Sequence, residues 1–362
     1  MIEIDGSQKS GSGTIVRDAV SLSALAGRDL HLTNIRAKRR PKPGLRAQHL
    51  RGIEAIAELC RGRLEGAAIS SGEIRFFPGQ TIRGGRYDWD IGTAGSTTML
   101  VLCVLPLALF ADGPSLFRIT GGLFQDFAPS VYSLQTVLLP LLRRMGAQID
   151  LRIMRPGYVP QGQGQITVDV TPLKRPLKPL ILTDLGNLLE IRGIALSSLL
   201  KERQVSERMA EECRKTLQAE GHDARIDLLY DTAENPVYEK SAVQAGAALA
   251  LWAKTDTECL LGADRAGAPR RSSETIGRQV ARMMTETLQT GATLDVHAAD
   301  QIIPFAALAE GESSFVIPRM TDHIDSRLWL VETFLGAETE LRDRTLRIRG
   351  IGYRRSLFNV QR

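Results

Sequence analysis

The sequence predicts an α/β (α+β) chain built from three repeated β-α-β-α-β-β units with a small inserted α/β domain. Residues 2–77 and 86–171 show the same order of hydrophobic periods at an offset of about 86 residues. Asp5-Gly6-Ser7 falls over Ile91-Gly92-Thr93, and Leu32-Thr33-Asn34 over Ile119-Thr120-Gly121. A third unit closes the chain, and the rhythm breaks between about 180 and 271. The expected division is 1–180 with 272–362 as the large domain, and 181–271 as the insertion.

Apolar alternation at 2–5 gives a strand, and the Gly/Ser turn after it leads into an apolar helix near 14–26. A strand follows at 29–35, then a helix from about 45 to 61, then strands near 64–69 and 73–77. In the second unit a strand at 86–91 meets the turn Gly92-Thr93-Ala94-Gly95, and the apolar helix 97–111 follows. A strand at 115–120 ends in Gly121-Gly122, and a helix near 131–146 leads into strands at 148–154 and 165–171. The third unit reads as helices near 274–289 and 298–309, a strand at 313–317, a helix at 325–336 and a hairpin at 339–350. The insertion contains an amphipathic helix from Leu200 to Ala219 and strand-like runs at 224–230 and 246–253. The run from Gly262 to Pro269 reads as a flexible exit, and the functional site is expected outside the insertion.

The 362 residues are 43% apolar and 24% charged, an ordinary globular balance that excludes disorder and low-complexity architectures. The longest apolar run, Met99 to Ala111, has 13 residues and contains Pro106, whereas a membrane-spanning helix needs about 20. The acidic start Met1-Ile2-Glu3-Ile4-Asp5 has no apolar core, so no signal peptide is read. Cys60, Cys103, Cys213 and Cys259 form no CxxC pair, which excludes a zinc ribbon or disulfide-stapled fold and fits a reducing cytoplasm. The expected location is cytoplasmic, with no membrane partner.

The net charge is +5, and its placement is uneven. Arg36, Lys38, Arg39, Arg40, Lys42 and Arg46 lie close together with no acid between them, and Pro41, Pro43 and Gly44 make the segment a loop. Such a loop suits phosphate groups, on a nucleotide or a nucleic-acid backbone, but a solvated basic loop has the same composition. No aromatic interleaves with it, so a base-stacking platform is not expected.

No GxxxxGKS/T, HExxH or GxSxG motif is present. Of the five histidines, His31 and His222 read as surface residues. His49 follows Gln48 at the start of a helix behind the basic loop, where free N–H groups favour anions; a plain N-terminal helix residue would look the same. His297, Asp300 and Gln301 share one helical face at i, i+3 and i+4; a helix cap with two solvated polar residues would look the same. His323 lies in the strand-to-helix turn Thr321-Asp322-His323-Ile324-Asp325, where Asp322 and Asp325 could orient a nucleophilic imidazole. The Gly-rich turn Gly6 to Gly13 offers backbone N–H groups and Lys9 ahead of a helix, and so could cradle an anion.

Together these stretches resemble the RNA 3′-terminal phosphate cyclases. The resemblance rests on Ile4-Asp5-Gly6-Ser7-Gln8, Asn34-Ile35-Arg36-Ala37, Pro43-Gly44-Leu45-Arg46-Ala47-Gln48-His49-Leu50 and Arg83-Gly84-Gly85. Asp90-Ile91-Gly92-Thr93-Ala94-Gly95-Ser96, Phe110-Ala111-Asp112-Gly113-Pro114-Ser115, Gly157-Tyr158 with Pro160, and Ala299-Asp300-Gln301 with His323 complete it. The resemblance implies three units similar to the C-terminal domain of translation initiation factor three, with a small inserted domain. It implies ATP and a divalent metal, Mg or Mn, as cofactors and an RNA 3′-phosphate end as partner. The implied product is a 2′,3′-cyclic phosphate, reached through histidine–AMP and RNA–adenylate intermediates. His323 falls at the nucleophile's position, and His297, Ala298, Ala299, Asp300 and Gln301 fall on the adenylate-contacting segment. Arg17, Arg39 and Arg46 would neutralise phosphates, and Arg40, Gln48 and His49 join them on the phosphate and RNA side. No metal ligand is named, and a homodimer is entertained without a fixed oligomeric state.

Four departures surround the implied pocket. Ser10 stands where the family has a glutamate thought to help hold metal, and Leu102 where it has a nucleotide-contacting glutamine. Gly121-Gly122-Leu123-Phe124 replaces GGTD, and Gly162-Gln163-Gly164 replaces GGG. The basic loop also carries one extra residue. These changes argue for altered nucleotide or metal use. They leave open the alternative of a non-catalytic relative that binds RNA or a ribonucleoprotein.

Overall fold

The computed structural model describes residues 1–39 and 41–354. The first unit runs β1 (Ile2–Asp5), α1 (Gly13–Ala26), β2 (Leu30–Thr33), α2 (Ala47–Cys60), β3 (Arg63–Glu65) and β4 (Ile74–Phe77). Its sheet order is β1-β2-β4-β3, with β1 parallel to β2 and both other pairings antiparallel. The second unit repeats this plan. It runs β5 (Gly85–Asp90), α3 (Thr97–Ala108), β6 (Ser115–Gly121), α4 (Val131–Ser133), α5 (Leu139–Arg144), β7 (Gln148–Arg155) and β8 (Gly164–Thr171), in the order β5-β6-β8-β7. A π-helical stretch, Leu134–Leu138, joins α4 to α5, so the helix expected at 131–146 is continuous but wound more widely in its middle.

The third unit opens with β9 (Ile181–Leu182), and the chain then leaves it. The insertion comprises β10 (Leu188–Ser198), α6 (Val205–Ala219), β11 (Arg225–Asp231), β12 (Gly246–Thr255), β13 (Leu260–Ala266) and α7 (Ser273–Gln289), with sheet order β11-β10-β12-β13. After it come α8 (Val296–Gln301), α9 (Ile303–Leu308), β14 (Glu310–Val316), α10 (Asp322–Leu335), β15 (Glu338–Arg342) and β16 (Thr345–Ile351). Read from β9, the third sheet has the order β9-β14-β16-β15, the same plan again. The insertion therefore interrupts the third unit between its first strand and its first helix.

Three expectations differ from the structure. Residues 188–198 form a strand that was not read. Residues 262–266 of the expected flexible exit belong to strand β13 (Leu260–Ala266), paired along its length with β12. The helix read at the head of the third unit, α7, buries Ile276, Val280, Ala281 and Met284 in one core with Met209 and Cys213 of α6. It thus packs on the insertion.

The centre of the large core is helical. All residues of α1 and α3 are buried, and α1 packs against α2, α3 and α10. Ser12 caps α1 by accepting the Thr14 N–H at 3.2 Å, and Thr321 caps α10 by accepting the Ile324 N–H at 3.2 Å. This packing brings the N-terminus of α1, from the first unit, to the N-terminus of α10, from the third.

Candidate active site

A cavity of 460 Å³ lies at the meeting of those two helix starts. Its wall takes Ser12, Gly13, Thr14 and Arg17 from α1 and the turn before it, and Arg36, Arg39, Gln48 and His49 from the basic loop and α2. The second unit contributes Met99 and the loop 126–129, and the third contributes His297, Asp300, Gln301 and His323. No residue of the insertion lines it.

His323 is the second residue of α10. Its Nδ1 lies 3.0 Å from the Thr14 hydroxyl oxygen, which also accepts a long 3.5 Å hydrogen bond from Arg17. Thr14, rather than either flanking aspartate, orients the ring: Asp325 is engaged by Lys9 at 3.1 Å, and Asp322 points to solvent. Burial lowers the imidazole pKa, and the positive charges of Arg327, Arg17 and Arg39 add to this against an upward pull from Asp300. The ring is therefore neutral near pH 7. With Nδ1–H donated to Thr14, the Nε2 lone pair is free.

His49 is more strongly held. Its pKa falls to about 2, through burial and the nearby Arg17, Arg36 and Arg46. Nδ1 accepts the Arg46 backbone N–H at 3.3 Å, which places the proton of the neutral ring on Nε2. That nitrogen presses against Gly13, where any Cβ would collide with it. Glycine at the first position of α1 is thus required by the close approach of His49.

Behind the cavity lies a buried charge network. Arg327 of α10 is 2% exposed. Its Nε sits 2.7 Å from Asp18 Oδ2 and its Nη1 2.8 Å from Asp300 Oδ1, while its third nitrogen donates to Gln301 Oε1 at 3.1 Å. Burial opposes the charge, but Asp18 and Asp300 outweigh it and raise the guanidinium pKa. One arginine therefore joins α1, α8 and α10, and fixes Asp300 and Gln301 in the cavity wall.

Arg17 contrasts with it. It too is buried, and burial lowers its pKa although Cys103 and Asp18 pull the other way. Yet it forms no ion pair among the described residues, so a cation lies on the cavity wall without a bound counter-charge. Arg39 joins it on the wall from an exposed position. Arg46 lies beside the wall as the residue before α2, and Arg40 lies outside the described residues. Gln48 lines the cavity and accepts the Ser96 N–H at 3.2 Å.

The remaining expected residues are less central. His297 is exposed on the cavity rim, and Ala298 lines an adjoining apolar recess with Pro129, Leu134 and Val137. Ala299 is in the core. Leu102 packs in the core on α3, and Met99, one turn earlier, reaches the cavity instead. Ser10 docks its turn onto α10: its hydroxyl meets those of Ser12 and Ser326 at 2.9 and 2.8 Å, and its N–H donates to Ser326 at 3.1 Å. The two carboxylates on the wall, Asp126 and Asp300, are held by Arg271 and Arg327. Among the described residues no three His, Cys, Asp or Glu side chains group as cation ligands, so these residues do not form a divalent-ion cage.

Sequence reasoning missed Thr14, Asp18, Arg327 and Phe127, whereas Arg36 was already named in the basic loop. Arg327 has a readable signal, a cation one turn after His323 on the same helical face. Phe127 belongs to a loop held from far along the chain, where Arg271 donates to the neighbouring Asp126 at 2.8 and 2.7 Å.

The model of the RNA 3′-terminal phosphate cyclase family matches residues 8–341. The chain is 39% identical to an RNA 3′-terminal phosphate cyclase of Methanopyrus kandleri over 94% of this chain and 95% of that one. It is 36% identical to that of Hyperthermus butylicus, over 98% and 100%, and 38% identical to that of Nitrosospira multiformis, over 92% of each. No helix among the described residues is long and apolar enough to cross a membrane. The match runs from the turn that carries Ser10 to the hairpin beyond His323 and spans all three repeats, so the chain belongs to the RNA 3′-terminal phosphate cyclase family.

Proposed function

We propose that this chain is an ATP-dependent RNA 3′-phosphate cyclase that works through a covalent histidine–AMP on His323. The observation that carries the reading is the convergence of a neutral, Thr14-oriented His323 with the unpaired, buried cation of Arg17 in one cavity. A buried charge without a partner is costly, and a phosphate would offset that cost. Two helix N-termini facing the same space favour the same anion.

In this reading His323 Nε2 attacks the ATP α-phosphorus. A P–N bond forms, the bond to the β-phosphate oxygen breaks, and pyrophosphate leaves. Arg17, Arg39 and the N–H groups at the start of α1 neutralise the charge that gathers on the phosphates. His49 Nε2–H donates a further hydrogen bond, and His297 and Gln301 line the part of the cavity that the adenosine faces. An oxygen of the RNA 3′-phosphate then displaces His323 from the adenylate. The neighbouring 2′-hydroxyl closes the 2′,3′-cyclic phosphate and AMP departs. Adenylation matters because it converts a poor leaving group into a good one. A divalent ion, Mg or Mn, would arrive on the ATP phosphates, with the protein adding no cage of its own.

The test is incubation with α-labelled ATP and Mg²⁺ or Mn²⁺, followed by detection of acid-labile label and of cyclic ends on a 3′-phosphorylated RNA. The wild type should take up label and His323→Ala should not. Absence of label with ATP, GTP and the other nucleotides would replace this reading with that of a non-catalytic RNA- or ribonucleoprotein-binding relative.

A further inference from the structure

The His323 cavity adjoins a second one. Asp126, on the wall of the first, accepts hydrogen bonds of 2.8 and 2.7 Å from Arg271, on the wall of the second. The second cavity, 670 Å³, lies where residues 158–161 of the second unit face the insertion at 244–247 and the start of α7. Its lining contains Arg203, Arg208, Arg270 and Arg271 and no carboxylate. Arg208 is engaged by Glu274 and Arg271 by Asp126. Arg203 and Arg270 are exposed and form no ion pair among the described residues. Tyr158, Leu200, Val205 and Ile276 give the groove apolar surface between these charges.

Phe127, the neighbour of Asp126, stands on the His323 cavity wall and is 99% exposed. An aromatic ring left wholly in water is costly, and this one follows directly on Asp126, whose carboxylate binds Arg271 on the wall of the second cavity. A positively charged groove beside an exposed ring is the combination that holds single-stranded nucleic acid, phosphates on the cations and a base on the ring.

Resting on the function proposed above, we infer that a single-stranded RNA leaves the His323 cavity across the face of Phe127 and runs along the groove of Arg203 and Arg270. The insertion then forms one wall of the RNA path. The expectation that no base-stacking side chain serves the basic site looked only along the chain; the second unit supplies one from a distance. RNA is favoured over an acidic polypeptide because the groove continues from a cavity suited to phosphate and carries a ring at the junction.

The test uses the full chain and 5′-fluorescein RNAs of 3 and 10 nucleotides, each ending in a 3′-phosphate, with binding read by anisotropy across a salt series. All three side chains are exposed, so their variants should fold. Arg203→Ala with Arg270→Ala should weaken the 10-mer, lower its salt slope by about 1.4 and leave the 3-mer unchanged. Phe127→Ala should weaken both RNAs about tenfold; Phe127→Trp should restore binding and Phe127→Leu should not. Wild-type affinity and slope for the 10-mer in the double variant, or equal binding by the Leu and Trp variants, would overturn the inference. So would competition by polyglutamate as effective as that by an RNA of equal charge. Label uptake from ATP needs no RNA and keeps the two readings apart. A wild type that takes up no label defeats the proposed function, whereas normal labelling with unchanged RNA binding in the variants defeats the RNA path alone.

Discussion

Arg327→Met probes the architecture of the cavity without touching a reacting group. Methionine keeps most of the apolar volume but removes the charge, and leaves Asp18 and Asp300 facing each other with side chains only 12% and 10% exposed. Removing one partner of a buried ion pair costs about 3–5 kcal/mol. Unfolding entropy of about 2.1 cal/mol/K per residue, taken over 362 residues, is about 0.76 kcal/mol/K, so the melting temperature should fall by about 4–7 °C. Thermal unfolding followed by circular dichroism at pH 7.5 gives the number. Adding Asp18→Asn and Asp300→Asn should recover part of the loss. A melting temperature within about 1 °C of wild type at pH 7.5, or no recovery in the variant that also carries Asp18→Asn and Asp300→Asn, would refute the view that Arg327 neutralises two buried carboxylates.

Other expectations follow from the same geometry. Because the His323 pKa is lowered, its neutral form persists below pH 6.5. The rate of histidine labelling should be flat above neutrality and fall only in acid; a midpoint at or above pH 7 would contradict the burial argument. Gly13→Ala drives a methyl group into the His49 ring and should destabilise by about 1–3 kcal/mol. Combining it with His49→Ala should cost less than the sum of the two, as thermal melts of the double-mutant cycle would show. His31 is held by Glu3 and Glu73 at 2.6 and 2.7 Å, the Glu73 hydrogen bond being the main cause of its raised pKa. Its contribution is full below the unfolded pKa and is lost as pH rises through the folded one. His31→Gln should therefore cost about half a kcal/mol at pH 5.5 and nothing at pH 9, since the site is partly exposed. An equal cost at both values would assign the effect to packing.

What the sequence disclosed follows from which forces act locally. Repeated apolar periods identified the strands and helices of the first two units, since burial on one face imposes that period wherever the chain is later packed. His323 and His49 were legible because each sits at a helix start after a turn. Strand β13 was not, because Gly262 and its small neighbours look like a loop when read alone. In the fold Gly262 pairs with Trp252 and lies close to Val137 and Asp295, where a larger side chain would crowd. Helix α7 was found, but periodicity gives a helix its apolar face and not the sheet that covers it. Thr14, Arg327 and Phe127 act through partners or neighbours far away in sequence, and only the packing of the repeats brings these together.

The interruption of the third unit has a bearing on how the molecule is made. Thr14 and His323 are 309 residues apart, and β9 must wait for β14 on the far side of the insertion before its sheet exists. During synthesis the first two sheets can close early from local pairings, while α1, buried on every side in the finished fold, lacks its cover from α10. Late contacts complete that cover, with Tyr353 donating to the Leu25 carbonyl at 2.9 Å and stacking edge-on to Phe110. Loop closure over such distances is slow and leaves apolar surface open meanwhile. A nascent chain with two finished repeats therefore leaves its central helix without the cover of α10. The cavity wall formed by His297, Asp300, Gln301 and His323 is complete only once that final repeat has docked.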